Sequence, residues 1–112
     1  MERKLSTVFA LDVVGYSKLM ADDEARTLSN LKMRRAFIDS LIEEFGGRIF
    51  NTAGDSVLAE FQSAVNAVEC AVDFQNELKK RNESKKTEVK LEFRIGINMG
   101  DVVIKDGNLL GD

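Results

Sequence analysis

TVFALDVV, residues 7–14, is the stretch on which the fold turns. It is almost continuously apolar and rich in β-branched residues, the pattern of a central strand covered on both faces. Its one charge, Asp12, falls near its end, and Gly15 then breaks the strand.

Beyond Gly15, Asp22-Asp23-Glu24 supplies caps and negative charge for a helix start. Leu28, Leu31, Arg35, Ile38, Leu41, Ile42 and Phe45 then recur at three- and four-residue steps, one face of a long helix stopped by Gly46-Gly47. Arg48 to Thr52 and Val57 to Phe61 read as short strands joined by a hairpin turn at Ala53-Gly54-Asp55-Ser56. Ser63 caps a second helix, with Ala64, Val68, Ala71, Val72 and Leu78 expected on its buried face. Lys79 to Glu88 reads as a fraying helix end and a loop. Arg34-Arg35 and Lys79-Lys80-Arg81 are expected on solvated helix faces.

Val89, Leu91, Phe93, Ile95 and Ile97 alternate with polar residues or glycine, a strand with unlike faces. Asn98-Met99-Gly100-Asp101 reads as a turn, Val102-Val103-Ile104 as the returning strand, and Asp106-Gly107 as a further turn. The order β-α-β-β-α-β-β is α+β. Its first six elements match the split βαβ, ferredoxin-like arrangement, a mainly antiparallel sheet with two helices on one face. The 112 residues are expected to form a single domain.

Composition excludes several chemistries. There is no histidine, so Ser-His-Asp catalysis, Cys-His catalysis and imidazole zinc sites are absent. A lone cysteine, Cys70, sits in an apolar helical run and reads as a small buried hydrophobe. Any metal must be held by oxygen ligands, hence magnesium, manganese or calcium. A formal net charge of −3 offers no overall basic field for nucleic acid or an anionic membrane. No apolar stretch reaches membrane-spanning length and no signal-peptide core follows the N-terminus, so the segment reads as cytoplasmic.

Asp12 and Asp55 are the residues of chemical interest. A carboxylate near the end of a buried strand costs several kcal/mol unless paired or metal-bound. Asp12 can also serve as a cap for the Gly15-Tyr16-Ser17 turn, and Asp55 as an ordinary turn residue. In a ferredoxin-like sheet, however, the end of the first strand and the hairpin between the next two could converge. Two carboxylates without histidine suit a pair of oxygen-preferring ions. Gly15 lets the backbone approach a ligand, and the amides of Gly15, Tyr16, Ser17 and Lys18 could point at phosphate oxygens.

These segments resemble a known family. Phe9 to Ser17 (FALDVVGYS) resembles the first metal motif of class III adenylyl and guanylyl cyclases, in their bacterial form. Gly47 to Asp55 (GRIFNTAGD) is similar to their second, and Phe93 to Val102 (FRIGINMGDV) to their Arg-Ile-Gly-Ile…Gly-Asp-Val strand pair. The likeness runs from about Leu5 to Asp112.

The resemblance implies conversion of a nucleoside triphosphate, ATP or GTP, to a 3′,5′-cyclic nucleotide and pyrophosphate. It implies two divalent cations, Mg²⁺ or Mn²⁺, held by Asp12 and Asp55 with a backbone carbonyl near Val13. It also implies a dimer with the site at the subunit interface. Asn51 falls where adenylyl cyclases carry an adenine-reading lysine, and Asn108 aligns with the second base-reading position. Arg94 matches a family motif and is expected in a fold or interface role. The family's catalytic helix, with its asparagine and transition-state arginine, has no counterpart in the chain, which is therefore read as incomplete at its C-terminus and inactive alone. The alternative is a cyclase-like regulatory or dimerisation module without turnover.

Overall fold

The computed structural model describes residues 2–84, 90–105 and 108–111, with side chains for 4–83 and 90–101. The elements are β1 (Glu2–Val13), α1 (Tyr16–Asp22), α2 (Glu24–Glu44), β2 (Arg48–Ala53), β3 (Ser56–Phe61), α3 (Ala64–Ser84), β4 (Phe93–Lys105) and β5 (Asn108–Gly111). The sheet order is β2-β3-β1-β4-β5, and every neighbouring pair is antiparallel. β1 is central, as its apolar run requires, and the first four strands have the split βαβ order. The side chain of Asp23 caps α2 by accepting from the Arg26 amide, and Ser63 Oγ accepts from the Asn66 amide at the start of α3.

One sheet face carries the core. Phe9, Leu11 and Val13 of β1 and Val57, Ala59 and Phe61 of β3 are buried there beneath α2 and α3. Phe74 of α3 is fully buried and meets Phe93 edge-on at 5.2 Å. Truncating such a side chain to alanine costs about 3–5 kcal/mol. Gly47, between α2 and β2, is tightly enclosed: a Cβ there would stand 2.6 Å from Phe61 Cζ and 2.8 Å from Ile42 Cγ2. No side chain fits between the end of α2 and β3.

The other face, away from the helices, carries the alternate residues. On β1 these are Val8, Ala10 and Asp12, all half-buried. The sequence pattern suggested full cover on both faces of residues 7–14, but within that run only the helix-side residues Thr7, Phe9, Leu11 and Val13 are fully buried.

On α2 the expected face is buried at Leu31, Ile38, Leu41 and Ile42 but extends to a polar side, whereas α3 is rotated from its expected phase. On α2, Thr27, Asn30 and Arg34 are buried beside Leu31 and Ile38, while Leu28 is 43% exposed. Thr27 Oγ1 donates to the Leu19 carbonyl of α1, which turns a polar side of the helix inward. Apolar periodicity cannot register a buried polar stripe, so Arg34, expected in solvent, is 4% exposed. On α3, Ala67, Cys70, Phe74 and Leu78 face the core, whereas Val68 and Val72 lie outside with Val65. Two stripes compete on that helix, and the larger payload of Phe74 sets the phase.

The expected turn at residues 98–101 does not exist. β4 runs unbroken through it, because the N-terminal half of β1 supplies a partner for each residue: Val8↔Asn98, Thr7↔Met99, Ser6↔Gly100 and Leu5↔Asp101. A ladder that satisfies each backbone polar group outweighs local turn preference. Val102-Val103-Ile104 therefore continues β4, and the returning strand is β5. Val89 and the Asp106-Gly107 turn lie outside the described residues, although Lys105 and Asn108 flanking that turn are paired.

Candidate functional site

Asp12 is the penultimate residue of β1. Leu11 and Val13 on either side are buried under the helices, so period two sends Asp12 to the open face. Arg94 stands directly opposite on β4. Its Nε donates to Asp12 Oδ1 at 2.9 Å and its Nη2 to Oδ2 at 3.0 Å, a two-pronged clamp. The arginine side chain is 70% exposed and the aspartate 37%. The Asp12 hydrogen bonds and charge raise the pKa of Arg94, and Asp55 adds to the effect.

Asp55 occupies the turn between β2 and β3. Its Oδ2 accepts the backbone N–H of Val13 at 3.0 Å. Both aspartates thus lie at the end of β1, Asp12 clamped from the β4 side and Asp55 tied to the next residue's backbone from the β3 side. This is the convergence expected from the split βαβ order. The donor set is all oxygen and fits a hard divalent cation. Among the described residues there is no group of three or more Asp, Glu, Cys or His that could enclose a metal ion. Ions held here would need further oxygen donors from backbone, water or a ligand.

Gly15 adopts the left-handed conformation (φ 67°, ψ 33°) as the N-cap of α1. A residue with a Cβ is strained there. The Leu19 amide bonds back to the Gly15 carbonyl at 3.1 Å, leaving the amides of Tyr16, Ser17 and Lys18 as the first-turn donors. Ser17 and Lys18 are exposed, whereas the Tyr16 side chain packs against the core, so only its backbone can face a ligand.

Asn51 reaches the open face through an irregularity. The β2–β3 register passes from Ile49↔Ala59 to Asn51↔Leu58, so Phe50 is the extra residue of a bulge. Strict alternation from Ile49 would have put Asn51 under the helices. Instead it shares a row with Leu58, Ala10 and Gly96. A shallow depression of about 210 Å³ lies on this face, lined by Ala10, Leu58 and Gly96 together with Asp12, Ser56 and Arg94. A larger one of about 400 Å³, between the end of α3 and residues 90–93, lies away from both aspartates. Volume alone does not make it the site. Asn108 opens β5 opposite Lys105, and its side chain lies outside the described residues.

Two features escaped the sequence reading. Arg94 belongs to this site rather than to the fold alone. Glu60, in the next row of the open face, bonds Lys4 Nζ and Arg48 Nε at 2.8 Å each and accepts from Ser6 Oγ at 3.4 Å. Only a period-two count combined with the strand register could have found either. Cys70 is the inert thiol expected: burial, with Asp73 and Glu44 nearby, pushes its pKa up to about 11. Among the described residues no helix is long and apolar enough to cross a membrane.

The family described as "Adenylate and Guanylate cyclase catalytic domain" matches residues 2–107. "Putative adenylate cyclase 3" of Rhizobium meliloti (strain 1021) is 40% identical over 113 residues, covering 100% of this chain and 19% of that protein. The crystal structure of an adenylate/guanylate cyclase/hydrolase from Silicibacter pomeroyi superposes with a TM-score of 0.88 at 41% identity, covering 99% of this chain and 65% of that one. A bacterial light-regulated adenylyl cyclase shares the fold, with a TM-score of 0.90 at 21% identity over 100% of this chain and 66% of its own.

Proposed function

The chain belongs to the adenylate and guanylate cyclase catalytic-domain family, and we propose that it supplies the metal-binding part of a site that converts a nucleoside triphosphate to a 3′,5′-cyclic nucleotide and pyrophosphate. It spans only 19% of the curated relative and 65% of the structural one, so the activity of the whole protein is part of this proposal.

The observation that carries the reading is the Val13–Asp55 hydrogen bond, which brings the second carboxylate to the backbone beside the first. Asp12 and Asp55, with the Val13 carbonyl, are the residues that would hold two divalent cations, Mg²⁺ or Mn²⁺. When bound, such ions lower the pKa of the ribose 3′-hydroxyl and stabilise charge on the leaving pyrophosphate. The chain's own residues position the reactants. The amides from Gly15 to Lys18 would donate to phosphate oxygens where α1 begins. Asn51 and Asn108 would face the base. An amide both donates and accepts, so neither residue alone selects adenine or guanine. The 112 residues by themselves are proposed to have no turnover, because the family's transition-state asparagine and arginine have no match among them. Losing one donor aimed at transition-state charge costs about 10²–10³ in rate.

The test is manganese binding to the chain, followed by the paramagnetic signal of free Mn²⁺, together with cyclic-nucleotide formation by the full-length parent. Asp12→Asn and Asp55→Asn should each abolish both. Unchanged binding in both variants would remove the carboxylates from the site.

A second reading, a dimerisation module without turnover, draws support from the exposed apolar stripe Val65, Val68 and Val72 on α3. Product formation by the parent separates the two.

A further inference from the structure

Both carboxylate oxygens of Asp12 are engaged by one guanidinium, and that guanidinium is mostly in solvent. The strand register fixes the backbone of Arg94 opposite Asp12, with Leu11↔Ile95 and Val13↔Phe93 paired on either side. Only the side chain is free to leave. Asp55 approaches from the β3 side, held by the Val13 amide, and its charge also acts on Arg94.

We propose that Arg94 is an exchangeable counter-cation for the metal site: it neutralises and aims the Asp12 carboxylate while no metal is bound, and it must swing away for a divalent cation to bind. The inference rests on the reading of Asp12 and Asp55 as cation ligands. Three physical points carry it. Two carboxylates gathered at one strand end repel each other, and a guanidinium bonded to one of them relieves that repulsion. A divalent ion bound to the same carboxylate would stand within a few ångströms of the guanidinium, and like charges that close disfavour joint occupancy. Finally, the clamp is solvent-exposed, so it is weak enough to be displaced. Arg94 is thus a positioning residue whose effect on metal affinity is opposite in sign to that of a ligand.

The experiment is Mn²⁺ titration of the 112-residue chain and its variants, with circular dichroism to verify folding. Arg94→Gln should bind Mn²⁺ more tightly, on the order of tenfold at low salt. Arg94→Lys keeps the charge and should remain close to the parent chain. Equal or weaker binding by Arg94→Gln, with Asp12→Asn still abolishing binding, would overturn the proposal and leave the metal reading standing. Binding that survives both Asp12→Asn and Asp55→Asn would instead overturn the metal reading. A second measurement needs no variant: the Arg94 Nε–H resonance of the unaltered chain, followed during Mg²⁺ titration. It should lose its hydrogen-bonded shift as the site fills, and a resonance unchanged at saturation would overturn the exchange.

Discussion

The backbone amide of Val13 donates to Asp55 Oδ2 across 3.0 Å, joining the end of β1 to the β2–β3 hairpin 42 residues away. The bond gives Asp55 a structural role besides any role toward a cation, and the two roles separate by substitution. Asp55→Asn keeps an oxygen acceptor and should stay within about 1 kcal/mol of the parent chain, whereas Asp55→Ala should lose about 1–2 kcal/mol. Urea unfolding measures both. An alanine variant as stable as the parent would mean that the bond contributes nothing to the fold.

Glu60 makes stability depend on pH. Burial opposes its charge, but hydrogen bonds and charges from Lys4 and Arg48 outweigh it and hold the carboxyl below its ordinary 4.5. A folded-state pKa below the unfolded one gives a contribution that is full above the unfolded value and fades as pH falls through the folded one. Lys4 and Arg48 are 38% and 52% exposed, so screening keeps the contribution to about 1 kcal/mol. The stability gap between the parent chain and Glu60→Gln should therefore be present at neutral pH and close below pH 4.5. A gap that stays constant with pH would assign the loss to packing instead.

Gly47→Ala should destabilise the chain by about 1–3 kcal/mol. The added methyl would collide with Phe61 and Ile42, each 1% exposed, so that a buried side chain or the backbone must shift. Thermal unfolding reports the loss, and an unchanged midpoint would mean that α2 can slide along the sheet.

Cys70 should resist alkylation in the folded chain at pH 8. Its thiol is fully buried and its pKa is about 11, so the reactive thiolate is scarce as well as inaccessible. Iodoacetamide labelling should follow the urea unfolding curve. Fast labelling without denaturant would show that α3 opens locally.

Self-association, if it uses the outer stripe of α3, should respond to charge placed there. The chain is expected to scatter light as a species above 12.5 kDa at high concentration. Val68→Glu, at a position 50% exposed, should shift it toward monomer without loss of stability. The sheet is the less suitable surface on the open side, where Val8, Ala10 and Leu58 are half-buried. The exposed sheet residues Leu5 and Met99 lie on the helix side, since they share the parity of Thr7 and Phe9 in the ladder.

Much of this molecule was legible in the order of its residues. The run at residues 7–14 with its single aspartate identified the central strand, Asp23 and Ser63 marked the helix starts, and the Gly54-Asp55 hairpin placed the second carboxylate at a turn. Each of these is a local signal, written within a few residues by period, cap or turn chemistry. The phase of α3 was less legible, because Val65, Val68 and Val72 form a stripe as regular as the one that is buried.

The succession of elements and the family's motifs could be read from neighbouring residues, since backbone preference and apolar period act over short range. The tertiary structure alone decided which side chains meet across strands. Asp12 and Arg94 are 82 residues apart, and only the β1–β4 register sets them opposite one another. That register also carried β4 through residues 98–101, where a turn was expected. The bulge at Phe50 likewise moved Asn51 to the open face by one extra residue. Strand pairing is a long-range choice of alignment, and a shift of one residue exchanges the faces of a strand.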